Sequence, residues 1–379
     1  MKAVFFLSFF YLSSLFPQDL TISYSSLNSL ILKSKNCEEL IKQHSAICEW
    51  KKMMNLSFDI PLIDNKLCQR SSNGFFKMTV SSCLPDFVKN YQHKALVKSG
   101  ANCWGTALSF KKISNYPRFV WPQEMLYWQQ DTPLCRKVSV GEEIQAGDII
   151  NIYGPEYVSE SEGMNSQNTK GTKFWEVLFP KRLTISPVNE GYTGHHHFLH
   201  SETYLSKDLT FGKVSPARED QFEFHLMKEV YGRGQNTECH ENQSLEPYFR
   251  EYQNPPKKIK GTKCEYFSLA YRCESLPDYF SKQVLDEREK EIQVAIQSMQ
   301  LMQDQLFPLI LSSRKTIPSA QIEKMVIYAD QMALDALDDL TETALSKNTE
   351  MLLVLKYFTA AGIRKSLELA RLIPTTERL

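Results

Sequence analysis

The hydrophobic residues between 275 and 373 recur at the spacing of an α-helix. One series places on a common helical face Leu285, Ile292, Ile296, Met299 and Leu306. A second series advances in alternating steps of four and three through Ile322, Val326, Ala329, Ala333, Ala336 and Leu340. A third helix is expected from Met351 to Ile373. The pattern predicts a small antiparallel bundle of three amphipathic helices, typical of a docking or dimerisation element.

Between about 99 and 240 the pattern mixes alternating and helical segments. Three strands are predicted, at Ile149–Tyr153, Phe198–Leu205 and Leu209–Val214. The first follows a turn at Ala146-Gly147-Asp148, and the other two are separated by a short turn that predicts a β-hairpin. Helices are expected from Cys103 towards Lys112 and from Phe222 to Tyr231. This part of the chain is therefore predicted to be an α+β domain.

The first residues differ from the rest of the chain. Lys2 precedes a run to Leu12 that is apolar apart from Ser8, and the small residues Ser13 and Ser14 follow. This arrangement predicts a secretory signal peptide over 1–18, because the run is too short to span a bilayer comfortably. We therefore expect an exported protein, periplasmic or extracellular. The next region, 19–98, contains a predicted helix starting at Cys37 and a strand at Phe75–Val80.

The segments give an expected domain order. It consists of a signal peptide (1–18), a cysteine-containing N-terminal region (19–98), a catalytic domain (99–240), a disulfide-bearing linker (241–274) and a helical bundle (275–379). The 44 basic residues are balanced by 44 acidic ones. Without a basic field, we expect no nucleic-acid partner. We also expect no cofactor and no resident metal.

Nine cysteines fit the oxidising compartment that an exported protein reaches. Their odd number leaves at least one thiol unpaired if the others form disulfides. Proximity in sequence suggests the hypothetical pairs Cys37–Cys48, Cys68–Cys83 and Cys264–Cys273, and Cys135 could then pair with Cys239 across the middle of the chain. In that hypothesis Cys103 is the free thiol.

Cys103 also has the surroundings of a nucleophile. It follows Asn102, a polar turn residue, and precedes Trp104-Gly105-Thr106-Ala107-Leu108, which suits a packed helix start. The positive end of a helix dipole stabilises a thiolate. Downstream, strand alternation places His200 on one face with Phe198, Glu202 and Tyr204, so His200 could act as the base.

The sequence resembles the NlpC-like papain-fold cysteine peptidases and amidases at three ordered places. These are Asn102–Leu108, Ala146–Ile150 and His200–Leu205. The resemblance implies an NlpC-type core, in which a helix bearing the cysteine packs on an antiparallel sheet. It also implies that Cys103 is the nucleophile and His200 the base. The implied reaction is hydrolysis of a peptide or amide bond, mostly in bacterial cell-wall peptides, and a peptidoglycan-like substrate is expected.

Members of this family usually carry a third polar residue about a dozen residues after the base. Here that region contains Gly212 and Lys213, and a protonated lysine cannot accept a hydrogen bond from the imidazole. His225 and His197 are the alternatives for this role. A zinc site formed by residues 195–197 and His200 is a weaker interpretation, because alternate strand residues point to opposite faces.

Two other functions remain open from the sequence. One is a catalytically inactive binding protein on the same fold, which would hold a protein partner through the C-terminal helices. The other is a cysteine-dependent acyltransferase, because a thioacyl intermediate can be passed to an amine as well as to water.

Overall fold

A computed structural model gives the architecture of the chain. It describes residues 20–24, 30–54, 59–61, 67–84, 88–89, 102–114, 118–139, 142–155, 196–206, 209–213, 222–226, 267–311, 317–342 and 344–369. The predicted signal peptide, most of the predicted linker, His195, Cys239 and Cys264 lie outside these residues. The described residues form a mixed α+β fold with two antiparallel sheets and seven α-helices.

The helices and strands follow one another in a simple order. The helices are α1 (Cys37–Met54), α2 (Cys103–Phe110), α3 (Pro122–Leu126), α4 (Leu276–Ser281), α5 (Glu287–Leu311), α6 (Ser319–Leu340) and α7 (Lys347–Leu369). The first strands are β1 (Thr21–Tyr24), β2 (Leu30–Ser34), β3 (Gln69–Arg70), β4 (Phe76–Thr79) and β5 (Cys135–Lys137). The others are β6 (Ile149–Pro155), β7 (His196–Ser206), β8 (Leu209–Lys213), β9 (Phe222–Leu226) and β10 (Phe267–Cys273).

The larger sheet has the strand order β5-β10-β6-β7-β8-β9, and every neighbouring pair is antiparallel. The predicted hairpin is present as β7 and β8, with Thr203 opposite Phe211. The turn before β6 depends on Gly147, whose φ of 87° is rarely accessible to other residues. The predicted strand after that turn is confirmed as β6.

The N-terminal region forms the smaller sheet, in the order β1-β2-β4-β3, with α1 packed beside it. Its hydrophobic core continues into the larger sheet. Trp50 of α1 lies 4.8 Å from Phe110 of α2, and Phe110 lies 5.5 Å from Phe211 of β8, measured between ring centroids. These contacts join the cysteine-containing region to the predicted catalytic domain through one shared core.

The expected helix from Phe222 to Tyr231 is wrong for its first half, because Phe222–Leu226 is strand β9. Phe222, Phe224 and Leu226 alternate with Glu223 and His225, which is the period of a strand. Phe222 and Phe224 are buried in the core shared with α1. Residues 227–231 lie outside the described part of the chain.

The three predicted C-terminal helices are present as α5, α6 and α7, and α5 and α6 both pack on α7. The expectation that α7 is amphipathic is wrong, since every residue from Met351 to Ile363 is buried. The reason is that α7 also packs against residues 119–121, which precede α3. Phe358 lies 6.1 Å from Trp121 between ring centroids, and the Lys365 ammonium lies 5.9 Å from the Phe119 ring.

Three disulfides link described residues: Cys37–Cys68, Cys48–Cys83 and Cys135–Cys273. The pairings expected from sequence proximity are therefore wrong. Cys37 and Cys48 both belong to α1, and their separation along the helix is about 16 Å, too far for a disulfide. Cys135 and Cys273 are instead register partners in adjacent strands. Cys103 is free, as expected.

None of the described helices is both long and apolar enough to cross a membrane. Disulfides are typical of proteins that fold in an oxidising compartment.

Candidate active site

Helix α2 begins with a capping residue that holds Cys103 in place. Asn102 has an extended backbone, and its side-chain oxygen accepts a hydrogen bond from the Gly105 N–H at 3.0 Å. Asparagine is among the preferred N-cap residues because it satisfies a helix N–H group that has no partner within the helix. Cys103 is therefore the first residue of the helix, as the sequence predicted.

The same asparagine fixes the helix start to a neighbouring segment. Its amide nitrogen donates to the Val120 carbonyl at 2.7 Å, and its oxygen also accepts from the Val120 N–H at 3.2 Å. The two backbones approach closely here, since a Cβ on Gly105 would lie 1.8 Å from the Arg118 carbonyl oxygen. Only glycine fits at that position. The place of Cys103 is thus set by both the helix cap and residues 118–120.

His200 lies in β7 opposite Ile152 of β6, and the Cys103 side chain lies close enough to its imidazole to raise the pKa of that ring. Its Nε2 lies 2.6 Å from Glu202 Oε1. An ionised carboxylate only accepts hydrogen bonds, so Nε2 carries the proton and Nδ1 is left for the thiol. The structure therefore brings together the two residues that the sequence nominated as nucleophile and base.

Glu202 extends this pair to four side chains. Its Oε1 also lies 3.2 Å from Nδ1 of His225, which belongs to β9. The Glu202 carboxylate is 1 % exposed and the His225 side chain 3 %. The Glu202 side chain passes over Gly212 between β7 and β9. A Cβ on Gly212 would lie 2.3 Å from Glu202 Oε2.

The charges of these groups depend on one another. Burial by itself would lower the pKa of His200, but the Cys103 charge, the hydrogen bond to Cys103 and Glu202 raise it to about 10. Burial would likewise raise the pKa of Glu202, whereas the charges and hydrogen bonds of His225 and His200 lower it to about 2. The site therefore favours a charged imidazolium beside an ionised carboxylate.

Cys103 and His200 differ in their exposure to solvent. Cys103 is only 5 % exposed, whereas the His200 side chain is 15 % exposed. His200 is therefore the more exposed of the two residues.

The predicted third residue occurs in a different arrangement from the one expected. His225 contacts Glu202, and Glu202 in turn contacts His200. The sequence placed Glu202 on the same strand face as His200 but assigned it no role. A carboxylate two residues from a strand histidine is the signal that could have identified it. His197 lies in β7 opposite Gly154, but its side chain lies outside what the structure describes.

The side chains of His195, His196 and His197 lie outside what the structure describes, so of the weaker zinc interpretation only His200 can be placed, beside Cys103 and Glu202. Among the described residues, one group of metal-ligating side chains converges, formed by His44, Cys48 and Cys83. Both sulfurs of that group form a disulfide, so they are not available as thiolate ligands. Asp148 has the structural role expected of a turn residue. It accepts a hydrogen bond from the Gln145 N–H and a bidentate pair from Arg272.

Comparison with known proteins finds no matching family model, no matching curated protein and no matching solved structure.

Proposed function

We propose that this chain is an exported thiol-dependent hydrolase that cleaves a peptide or amide bond. Its Cys103 would be the nucleophile and His200 the base, on a papain-like core of the NlpC type. The single observation that carries the proposal is the proximity of the Cys103 thiol, at a helix N-terminus, to the His200 imidazole. A free thiol beside an imidazole that is itself oriented by a carboxylate is the arrangement that nucleophilic catalysis requires.

In the resting thiolate–imidazolium pair the thiol proton is already held on Nδ1 of His200, and in the first step the thiolate sulfur attacks the substrate carbonyl carbon. The carbonyl oxygen then becomes negatively charged. The Gly105 and Thr106 N–H groups are already bound to Asn102, so the Cys103 N–H group at the start of the helix would stabilise it.

In the second step the carbon–nitrogen bond breaks, and the His200 imidazolium donates its proton to the leaving amine. The acyl group is then held on Cys103 as a thioester. Water, deprotonated by His200, attacks the thioester and releases a carboxylic acid, and the thiol is restored. No metal or cofactor takes part in this scheme.

The substrate class follows from the resemblance and from the expected location. The likeness to NlpC-like enzymes suggests a peptide of the bacterial cell wall, which an exported protein would meet. The three disulfides among the described residues support an oxidising compartment. Because α7 is covered by α5, α6 and residues 119–121, we propose that the bundle supports the catalytic domain, with any protein partner binding its outer helices.

The proposal is tested with peptides released from bacterial peptidoglycan and incubated with the full-length protein. Mass spectrometry of the products identifies the cleaved bond. Wild-type protein is expected to cleave at least one peptide, and Cys103→Ser and His200→Ala are each expected to lose about a thousandfold or more of that activity. Full activity in a folded Cys103→Ser protein would overturn the proposal. Adding hydroxylamine separates the acyltransferase alternative, because efficient conversion to hydroxamate at the expense of hydrolysis would favour it.

A further inference from the structure

We infer that Glu202 and His225 form a positioning pair for His200, in which the carboxylate fixes the tautomer and orientation of the base and His225 holds the carboxylate. The inference deepens the proposed function and rests on it. It assigns the role of the missing third polar residue to a side chain on the same strand as the base.

Glu202 selects the tautomer of His200 when the imidazole is neutral. Neutral imidazole has one N–H donor and one acceptor, and the partner of one nitrogen decides which nitrogen carries the proton. Glu202 Oε1 lies 2.6 Å from Nε2, so the proton is held there. Nδ1 is then the nitrogen that can accept the thiol proton. If the carboxylate were absent, both tautomers and more than one ring orientation would compete.

Two histidine side chains hold the Glu202 carboxylate in position. Glu202 Oε1 receives a second donor, Nδ1 of His225, at 3.2 Å. Among the described residues, Oε2 has no hydrogen-bond partner although it is fully buried. The two imidazoles therefore provide the hydrogen bonds that compensate this buried charge. Removing either donor would leave the carboxylate free to turn or to take up a proton.

The neighbouring strand β8 carries a glycine where it passes the Glu202 carboxylate. A side chain at Gly212 would occupy the space of the Glu202 carboxylate, since its Cβ would lie 2.3 Å from Oε2. A third residue placed there and the observed carboxylate exclude each other. The buried Glu202 carboxylate therefore requires a glycine at position 212.

A purely structural ion pair would also bury Glu202 between two histidines, so the test must separate the two roles. The probe is iodoacetamide, which reacts with the thiolate form of cysteine. The rate at which it modifies Cys103 in the full, oxidised protein is measured at pH 6 by mass spectrometry of the Cys103 peptide. Nitrogen-15 spectra of histidine-labelled protein, recorded as the pH is raised, report the pKa of His200 and which of its nitrogens loses the proton.

We expect Glu202→Gln to slow the modification of Cys103 about tenfold, which corresponds to the loss of one charge-assisted hydrogen bond. His225→Phe removes the second donor and should have a similar effect. His225→Asn retains an amide donor near the position of Nδ1 and should restore most of the rate. The matched control is Glu223→Gln, which removes a carboxylate from the same strand as His225, opposite Gly212.

A wild-type rate in both folded Glu202→Gln and folded His225→Phe would overturn the inference, as would an unchanged His200 pKa in Glu202→Gln. If His225→Phe fails to fold, His225→Asn and Glu202→Asp still decide the question. Failure of the proposed function gives a different result, namely a wild-type Cys103 that reacts no faster than the same thiol in His200→Ala.

Discussion

Glu202 Oε2 lies 2.3 Å from the position that a Cβ atom on Gly212 would occupy, so the carboxylate on β7 requires a glycine on β8. This relationship explains why the region after His200 offers no polar third residue. The space is already taken by a carboxylate that comes from the strand of the base itself.

Gly212→Ala is therefore expected to disturb the site and the sheet together. The added methyl group should displace Glu202 and destabilise the fold by about 1–3 kcal/mol, as overpacking of a buried position does. Urea denaturation measures the loss, and iodoacetamide modification of Cys103 reports the change at the site. In Glu202→Ala the space is open, so adding Gly212→Ala should cost much less. Equal costs in both backgrounds would contradict the proposed contact.

Asn102→Ala should lower both stability and reactivity. It removes the N-cap of α2 and the two hydrogen bonds to Val120, with an expected loss of about 1–3 kcal/mol. The reactivity of Cys103 should fall because the helix start loses its fixed position. The matched control is Ser275→Ala, which removes the exposed N-cap of α4. It should destabilise the protein slightly and leave Cys103 unaffected, and an equal effect on Cys103 would argue against local positioning.

The pKa shifts predict how stability depends on pH. The pKa of Glu202 is lowered to about 2 in the folded protein, from 4.5. Its ionisation therefore stabilises the fold fully above about pH 4.5, and this contribution is lost as the pH falls towards 2. The pKa of His200 is raised to about 10, from 6.5, so its contribution is present below 6.5 and is lost as the pH rises towards 10. Urea denaturation across this range should show a steeper acid loss for wild type than for Glu202→Gln. Parallel curves below pH 4.5 would contradict the assignment.

A buried ion pair lies where residues 118–124 pack against α7. Arg118 and Glu124 have side chains 1 % and 0 % exposed, and Arg118 Nη1 lies 2.8 Å from Glu124 Oε2. The Arg118 side chain also fits against Gly362 of α7, where a Cβ would lie 2.4 Å from its Cδ. The same segment binds the Asn102 side chain, which donates a hydrogen bond to the Val120 carbonyl.

Glu124→Ala should consequently destabilise the protein by about 3–5 kcal/mol, because it leaves a buried guanidinium without its counterion. Thermal unfolding followed by circular dichroism measures this effect. Glu287→Ala is the matched control, since Glu287 pairs with Lys290 on the exposed surface of α5. That control should leave the melting temperature unchanged, and a comparable loss in both variants would show that the buried pair has no special importance.

Much of the architecture was predictable because it depends on local patterns. The helix cap at Asn102, the turn at Gly147 and the hairpin of β7 and β8 each have short-range signals, and all three are present. The residue types of Cys103 and His200 also suggested that they would lie together, and their catalytic roles stay a prediction. The free state of Cys103 followed from an odd cysteine count.

The remaining features depend on tertiary contacts that no local pattern encodes. Phe222–Leu226 fits either period over so short a run, and pairing with β8 decides that it is a strand. The disulfide partners are joined by the packing of α1 and by the register of β5 with β10. The role of Glu202 required knowing that Gly212 lies beneath its carboxylate and that His225 lies on the next strand.

The central claim is that Cys103 is a nucleophile activated by His200, and one measurement tests it without knowledge of the substrate. The rate at which iodoacetamide modifies Cys103 at pH 6 is compared between wild type and His200→Ala, with folding checked by circular dichroism. The thiolate–imidazolium pair predicts that wild type reacts at least about tenfold faster. Equal rates in the two folded proteins, or a wild-type Cys103 that iodoacetamide does not modify, would contradict the claim.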